Sequence, residues 1–265
     1  THHGVFIASR AAFSQVRWQT SPSANEDRVL VITGASSGIG LATAQLFSEQ
    51  GWSVHNISRS PCPLPDVTNH KFDLTCRSSV HKAAAAVSET AVNKSGADKT
   101  TVCVVHNASL HMEDSCEAFN EQAFDDSFSV AVVAPGILTA ALLPHMARGS
   151  SVLFVGSTLS EQAVASRASY VTVKHAVIGL MRSYTQDLFG MGVHTACICP
   201  GFTDTPMLRK APIMQSEEGD AFIRSKVSVG RLIEAGEVAE VVRMAAVQPA
   251  LNGAILHCNG GQRQT

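Results

Sequence analysis

Short, near-continuous apolar runs recur along this chain with helix-length segments between them, and that alternation leaves few folds open. The runs fall at residues 29–33, 52–57, 101–106, 151–155, 194–199 and 254–258. They are rich in Val, Ile, Leu and Cys and do not alternate with polar residues, as expected of strands covered on both faces. A shorter strand is expected near residues 70–72. The intervening segments 38–50, 77–93, 119–146, 168–189 and 236–248 read as helices. Gly51 suits a C-cap, Pro135 is able to kink or break the long third segment, and Pro249 stops the last. Strand and helix in alternation, with crossovers of helix length, predict one doubly wound parallel sheet with helices on both faces. No internal repeat interrupts residues 28–265. Residues 206–226 are expected to be irregular and form a candidate lid.

The charge balance narrows the partners. A formal net charge of −2 gives no electrostatic footprint for nucleic acid, and no Lys/Arg cluster forms a membrane patch. Hydrophobic residues make up 45% and charged residues only 16%, which favours a large core and self-association. The apolar stretch 129–147 contains Pro135, Gly136, Pro144 and His145. A membrane span needs about 20 apolar residues, so the stretch reads as a buried or subunit-facing helix. The seven cysteines are Cys62, Cys76, Cys103, Cys116, Cys197, Cys199 and Cys258. They read as buried thiols of a reducing compartment, hence a cytoplasmic setting. Neither they nor the histidines show metal-ligand spacing, and no metal is expected. Residues 1–27 read as a disordered, tag-derived or partner-docking arm. Its first 25 residues, with Arg10, Arg17 and several serines and without an acid, also resemble an organelle-targeting segment weakly.

Val29–Thr33 runs straight into Gly34-Ala35-Ser36-Ser37-Gly38-Ile39-Gly40, and a helix follows. Glycines let backbone N–H groups approach a pyrophosphate, and a helix N-terminus favours its charge. In this strand–turn–helix context the motif reads as a dinucleotide cradle, and the fold as Rossmann-type. Past the second strand, an acid would bind the ribose hydroxyls of NAD. Ser58 and Arg59 stand there instead. Arg59 suits the 2′-phosphate of NADP, so NADP(H) is favoured over NAD(H). Asp73 is placed to meet the adenine.

Tyr170 and Lys174 lie four residues apart on an expected helix, which puts both on one face. An isolated phenol titrates far above neutrality, and a neighbouring ammonium favours its ionised form. Such a phenol exchanges a proton with a carbonyl or alcohol oxygen as hydride moves. Ser157 follows the strand at 151–155, at the end where open α/β sheets bind ligands. Its hydroxyl suits the substrate oxygen.

These pieces together resemble the short-chain dehydrogenase/reductase family over residues 28–262. The matching motifs are Thr33–Gly40, His106-Asn107-Ala108-Ser109, Ser157, Tyr170 to Lys174, Pro200-Gly201-Phe202-Thr203-Asp204-Thr205 and Asn259-Gly260-Gly261. The resemblance implies that Lys174 also binds the nicotinamide ribose. It implies that Asn107 and Ala108 lie beside the cofactor, and that Pro200, Gly201, Thr203 and Thr205 border the nicotinamide. It further implies a homodimer or homotetramer built on the two long helices. Three positions depart from the family. Ser109 replaces a glycine, Ser58 replaces the NAD-selecting acid, and Ala131 stands where an Asn usually supports the proton relay.

The reading is an oxidoreductase passing hydride between NADP(H) and a small carbonyl or secondary alcohol. Its rival is an NADP(H)-binding sensor or scaffold with little activity, motivated by Ala131 and Ser109. His106 and His111 near the sheet edge are expected to be structural. The lid residues Met207, Leu208, Ile213, Met214, Phe222 and Ile223, with Arg209, Lys210, Arg224 and Lys226, suit an apolar substrate with a polar or anionic end, and equally the amphipathic packing of a mobile helix.

Overall fold

The computed structural model describes residues 28–92 and 100–262. The arm at 1–27 lies outside them. Seven parallel strands form the sheet: β1 (Arg28–Thr33), β2 (Ser53–Ser58), β3 (Val67–Lys71), β4 (Thr101–His106), β5 (Ser151–Val155), β6 (His194–Pro200) and β9 (Ala254–Cys258). Their order is β3-β2-β1-β4-β5-β6-β9, and every neighbouring pair is parallel. The order reverses between β1 and β4. In open α/β sheets the crevice at such a reversal, beyond the carboxyl ends of the strands, is where ligands bind.

Both faces are covered, which is why the strands lack alternation. On one face α1 (Gly38–Glu49) packs with α8 (Ala235–Val247), burying Phe47, Leu30, Ile32, Leu153 and Ile198. On the other, α2 (Arg77–Val87), α3 (Glu121–Phe128), α4 (Ala134–Leu142) and α5 (Ala168–Asp187) cover Val104, Phe154 and Cys197. Removing a fully buried side chain such as Leu138 from this layer costs about 2–5 kcal/mol.

Several expectations need correction. The third strand begins at Val67, earlier than its apolar pattern suggested, because its exposed Thr68 and Asn69 pair at a sheet edge. Pro135 does not break the long helix. A wide π-turn, Ser129–Val133, joins α3 to α4, and helical structure continues through His145. Proline supplies no N–H to the carbonyl one turn earlier, and the wide turn lets the chain absorb that loss. This segment is long and apolar enough to span a membrane by composition, yet its Ala134, Leu138 and Leu142 sit in the core. The candidate lid is helical rather than irregular: α6 (Pro206–Arg209) and α7 (Glu217–Ser225) are capped by the hydroxyls of Thr205 and Ser216. A short parallel pair, β7 (Thr203–Asp204) with β8 (Ile233–Glu234), anchors the lid's base. Finally, Cys76 and Cys116 are exposed and Cys258 half-buried, so only four of the seven cysteines are buried.

Candidate active site

Thr33 ends β1, and the chain turns at Gly34, whose φ of +75° lies in the left-handed region that side chains avoid. The turn is held by partners far away in sequence. Asn56, buried in β2, accepts the Ala35 N–H at 2.9 Å. The Thr33 hydroxyl accepts the backbone N–H of Asn107 and of Ala108, each at 3.0 Å. The Asn107 amide donates to the carbonyls of Thr33 and Gly34 at 3.0 and 3.1 Å. A Cβ on Gly40 would fall 2.2 Å from the Gly34 carbonyl oxygen, so α1 approaches the turn as only glycine allows. Ser37 begins α1 without a side-chain cap. The first helical N–H groups are thereby left for an anion.

This turn floors one end of a cavity of about 540 Å³. Gly34, Ser36, Ser37, Gly38, Ile39 and Gly40 line it, with Ser58, Arg59 and Asp73 at the far rim and Asn107 and Ala108 beside β1. The Thr75 backbone N–H holds the Asp73 carboxyl below its usual range against the pull of burial, and Arg59 adds to this. Pro200, Gly201, Thr203 and Thr205 wall the middle, next to Ser157, Tyr170 and Lys174. Eighteen residues spread from 34 to 205 thus border one space, which fits an extended nucleotide with its phosphates on α1. The fit to a nicotinamide nucleotide is one of shape and donor chemistry, with the turn and the start of α1 at one end and Arg59 at the rim.

Ser157 stands just past β5. Its hydroxyl accepts the Leu159 N–H at 3.1 Å, and its own N–H donates to Ser160 Oγ at 3.0 Å, so the turn is rigid. Lys174 is buried at 3% exposure, and its Nζ donates to the Val155 carbonyl at 2.9 Å. The ammonium lies 5.6 Å from the centre of the Tyr170 ring. Beneath the Ser157 turn, Cys197 and Cys199 bring their sulfurs to 3.9 Å. Hydrogen bonding from Cys197 lowers the Cys199 thiol to about 7, while the same bond and burial push Cys197 up.

The loop after β4 clasps the start of α5, which sequence reasoning missed. Buried Asp114 accepts the Ser169 N–H at 2.9 Å and the Ser169 hydroxyl, one residue before Tyr170. Its own carbonyl accepts the Ala168 N–H at 3.3 Å. Burial raises the Asp114 carboxyl, but the Ser169 bonds and the Asn120 backbone N–H outweigh it and hold the group below its usual range. Glu113 pairs with Arg167 at 2.8 Å. The His111 ring lies 5.6 Å from the Tyr170 ring and lines the cavity. His111 thus stands at the cavity wall beside Tyr170. His106 does sit in the core: its Nε2 meets Thr139 Oγ1 at 2.9 Å, and burial pushes it down to about 3. An acid in a polar loop carries no local signal of such a partner, whereas Asn56 could have been noticed as an amide inside an apolar run.

Ala131 is buried within the π-turn. One turn earlier, the Ser127 hydroxyl is buried without a hydrogen-bond partner among the described residues. Of the lid residues, Met207, Leu208, Ile213 and Ile223 line the cavity. Its cations do not. Arg209 pairs with Asp204 at 2.5 Å, Arg224 with Asp220 at 2.5 Å, and Lys226 lies over Phe222. Among the described residues no cluster of three or more metal-binding groups occurs.

Comparison with known proteins bears on this geometry. The short chain dehydrogenase family model matches residues 28–216. A 3-oxoacyl-[acyl-carrier-protein] reductase, FabG, of Thermotoga maritima is 26% identical over 251 residues, covering 89% of this chain and 98% of the relative. Protein MoaE of Klebsiella aerogenes is 30% identical over 257 residues, covering 88% and 95%. Among solved structures, the aldohexose dehydrogenase of Thermoplasma acidophilum superposes with a TM-score of 0.80 at 24% identity, covering 89% of this chain and 94% of that one. A 4-hydroxyisoleucine dehydrogenase complexed with NADH superposes with a TM-score of 0.75 at 20% identity, covering 89% and 98%. Those two likenesses concern the fold.

Proposed function

The chain belongs to the short-chain dehydrogenase/reductase family of oxidoreductases, and from that premise we propose that it moves hydride between NADP(H) and a small carbonyl or secondary alcohol. The observation that carries this reading is the convergence of Ser157, Tyr170 and Lys174 on the cavity that the Gly34–Gly40 turn floors. When bound, the nicotinamide supplies or accepts the hydride. The chain's own residues manage the oxygen. The Ser157 hydroxyl, set by its rigid turn, hydrogen-bonds the substrate oxygen, and the Tyr170 hydroxyl gives it a proton in reduction or takes one in oxidation. Lys174 has further donors free beyond its bond to Val155 and holds the nicotinamide ribose. Arg59, at the adenosine rim, meets the 2′-phosphate, with no carboxylate at position 58 to repel it.

The sensor reading rests on Ala131 and Ser109, the first because a missing relay residue slows proton supply. Ser127, buried without a partner beside it, offers a hydroxyl in the same region. Self-association as a homodimer or homotetramer through α4 and α5, and a cytoplasmic setting, belong to the same proposal.

The test is calorimetric titration with NADPH and separately NADH, then a ketone and aldehyde panel with wild type and Tyr170→Phe. The expected result is NADPH bound at least about tenfold tighter, with turnover in wild type. In Tyr170→Phe turnover falls by about 10²-fold or more while NADPH still binds. Tighter NADH binding overturns the cofactor assignment. Normal turnover in Tyr170→Phe overturns the mechanism, and NADPH binding without any turnover leaves the sensor.

A further inference from the structure

Two polar side chains in the substrate half of the cavity take no part in the chemistry above: His111 and Arg167. Arg167 immediately precedes α5, three residues before Tyr170. Both residues line the same cavity, and the His111 ring lies 5.6 Å from that of Tyr170. The Arg167 side chain is only 21% exposed. The cavity it lines also carries the apolar Leu110, Val130, Leu159 and Val164. A guanidinium drawn out of water is unfavourable unless an anion meets it.

The anion now beside it is Glu113, at 2.8 Å, whose side chain is 48% exposed and does not line the cavity. Arg167 uses one nitrogen on Glu113 and another on the Ser166 carbonyl at 3.2 Å, and further N–H donors remain. The backbone just before it is unusual. Ser166 has a φ of 60°, the only non-glycine among the described residues in the left-handed region. Strain of that kind gathers at ligand clamps. The lid's arginines are committed to Asp204 and Asp220, and none of its cations reaches the cavity. His111, against Tyr170, adds a ring nitrogen on the same side.

We propose that Arg167, with His111 alongside, is a carboxylate subsite, and that the substrate is a short oxo or hydroxy carboxylic acid with an apolar body. The substrate carboxylate takes the planar fork of the guanidinium in place of, or beside, Glu113. The three-residue step to Tyr170 puts only a short spacer between that carboxylate and the reacting carbon. This inference rests on the hydride-transfer reading for the identity of the reacting carbon, but the subsite itself is a binding site and is tested by binding.

The experiment is calorimetric titration of the NADP⁺-loaded protein with hexanoate and with hexanamide, which share a chain and differ at the head, a two-oxygen anion against a neutral amide with one acceptor. Wild type is expected to bind hexanoate at least about tenfold more tightly. Arg167→Gln brings the ratio near one, and Arg167→Lys, which keeps the charge and loses the fork, falls between. Glu113→Gln removes the competing anion and tightens hexanoate several-fold, so the idea stays testable if the Arg167 variants fold poorly. Equal binding of the two heads by wild type sinks the subsite, as does an unchanged ratio in Arg167→Gln or an unchanged hexanoate affinity in Glu113→Gln. Neither ligand needs to react. A wild type that prefers hexanoate yet reduces no carbonyl compound keeps the subsite and loses the hydride reading, and the reverse pattern does the opposite.

Discussion

The end of the cavity at the Gly34–Gly40 turn is held by buried hydrogen bonds, and the end under the lid is lined by more exposed apolar side chains. At the first, the Gly34 turn is tied by Asn56, Thr33 and Asn107, and Gly40 has no room for a Cβ. At the second, Met207 and Ile213 project from a lid of short helices, and both are more than 40% exposed. On the proposed reading the difference follows from what each end would bind, a nucleotide at the turn and the substrate under the lid. A pyrophosphate is recognised by N–H groups that must converge, so the backbone there is fixed by buried hydrogen bonds. An apolar body is recognised by shape, which exchangeable side chains on a loosely packed lid supply.

That contrast can be broken at its strongest point. Gly40→Ala places a methyl against the Gly34 carbonyl and the Asn107 amide. The expected loss is about 1–3 kcal/mol of stability from overpacking, together with nucleotide affinity, read by thermal melting and NADPH titration. A variant of wild-type affinity would show that the cradle is looser than its contacts imply.

The clasp between the two ends comes next. Asp114→Ala leaves the buried Ser169 N–H and hydroxyl without their acceptor, an expected cost of about 1–3 kcal/mol. The pH dependence has a definite sign. The folded carboxyl titrates below its unfolded value, so its stabilisation is present above the ordinary carboxylate range. It is lost as pH falls through the folded value, below about 4. Denaturant melts at neutral pH and at low pH should show the deficit of Asp114→Ala shrinking in acid. A deficit independent of pH would mean that the carboxylate's charge does nothing for the clasp.

The smallest effect is expected at the lid. Met207→Ala, at a residue 42% exposed, should change stability by no more than about 0.5 kcal/mol. Its KM for an apolar substrate should rise while NADPH affinity holds. A fall in NADPH affinity as large as that of Gly40→Ala would erase the distinction between the ends.

Legibility followed the same division. The parallel sheet with two covered faces was readable because continuous apolar runs and intervening helical segments are local patterns. The glycine turn, Tyr170, Lys174 and Ser157 were readable because their spacing is set by one strand end or one helix face. The helical lid was not, since its order comes from caps at Thr205 and Ser216 and from the β7–β8 pair, whose strands lie thirty residues apart in the chain. Nor was the burial of cysteines: Cys76 and Cys116 look like their buried counterparts until neighbours are placed around them.

By itself the chain determined which residue types could do the chemistry and in what order they occur, because periodicity and short spacings act within a few residues. Only the tertiary structure decided which distant groups complete them. Asn56 reaches the Gly34 turn across a strand pair, Asp114 secures the residue before Tyr170 from 55 positions away, and Glu113 meets Arg167 at the cavity wall. A hydrogen bond or ion pair acts over a few ångströms in space, and nothing in linear order records which side chains packing will bring within that reach.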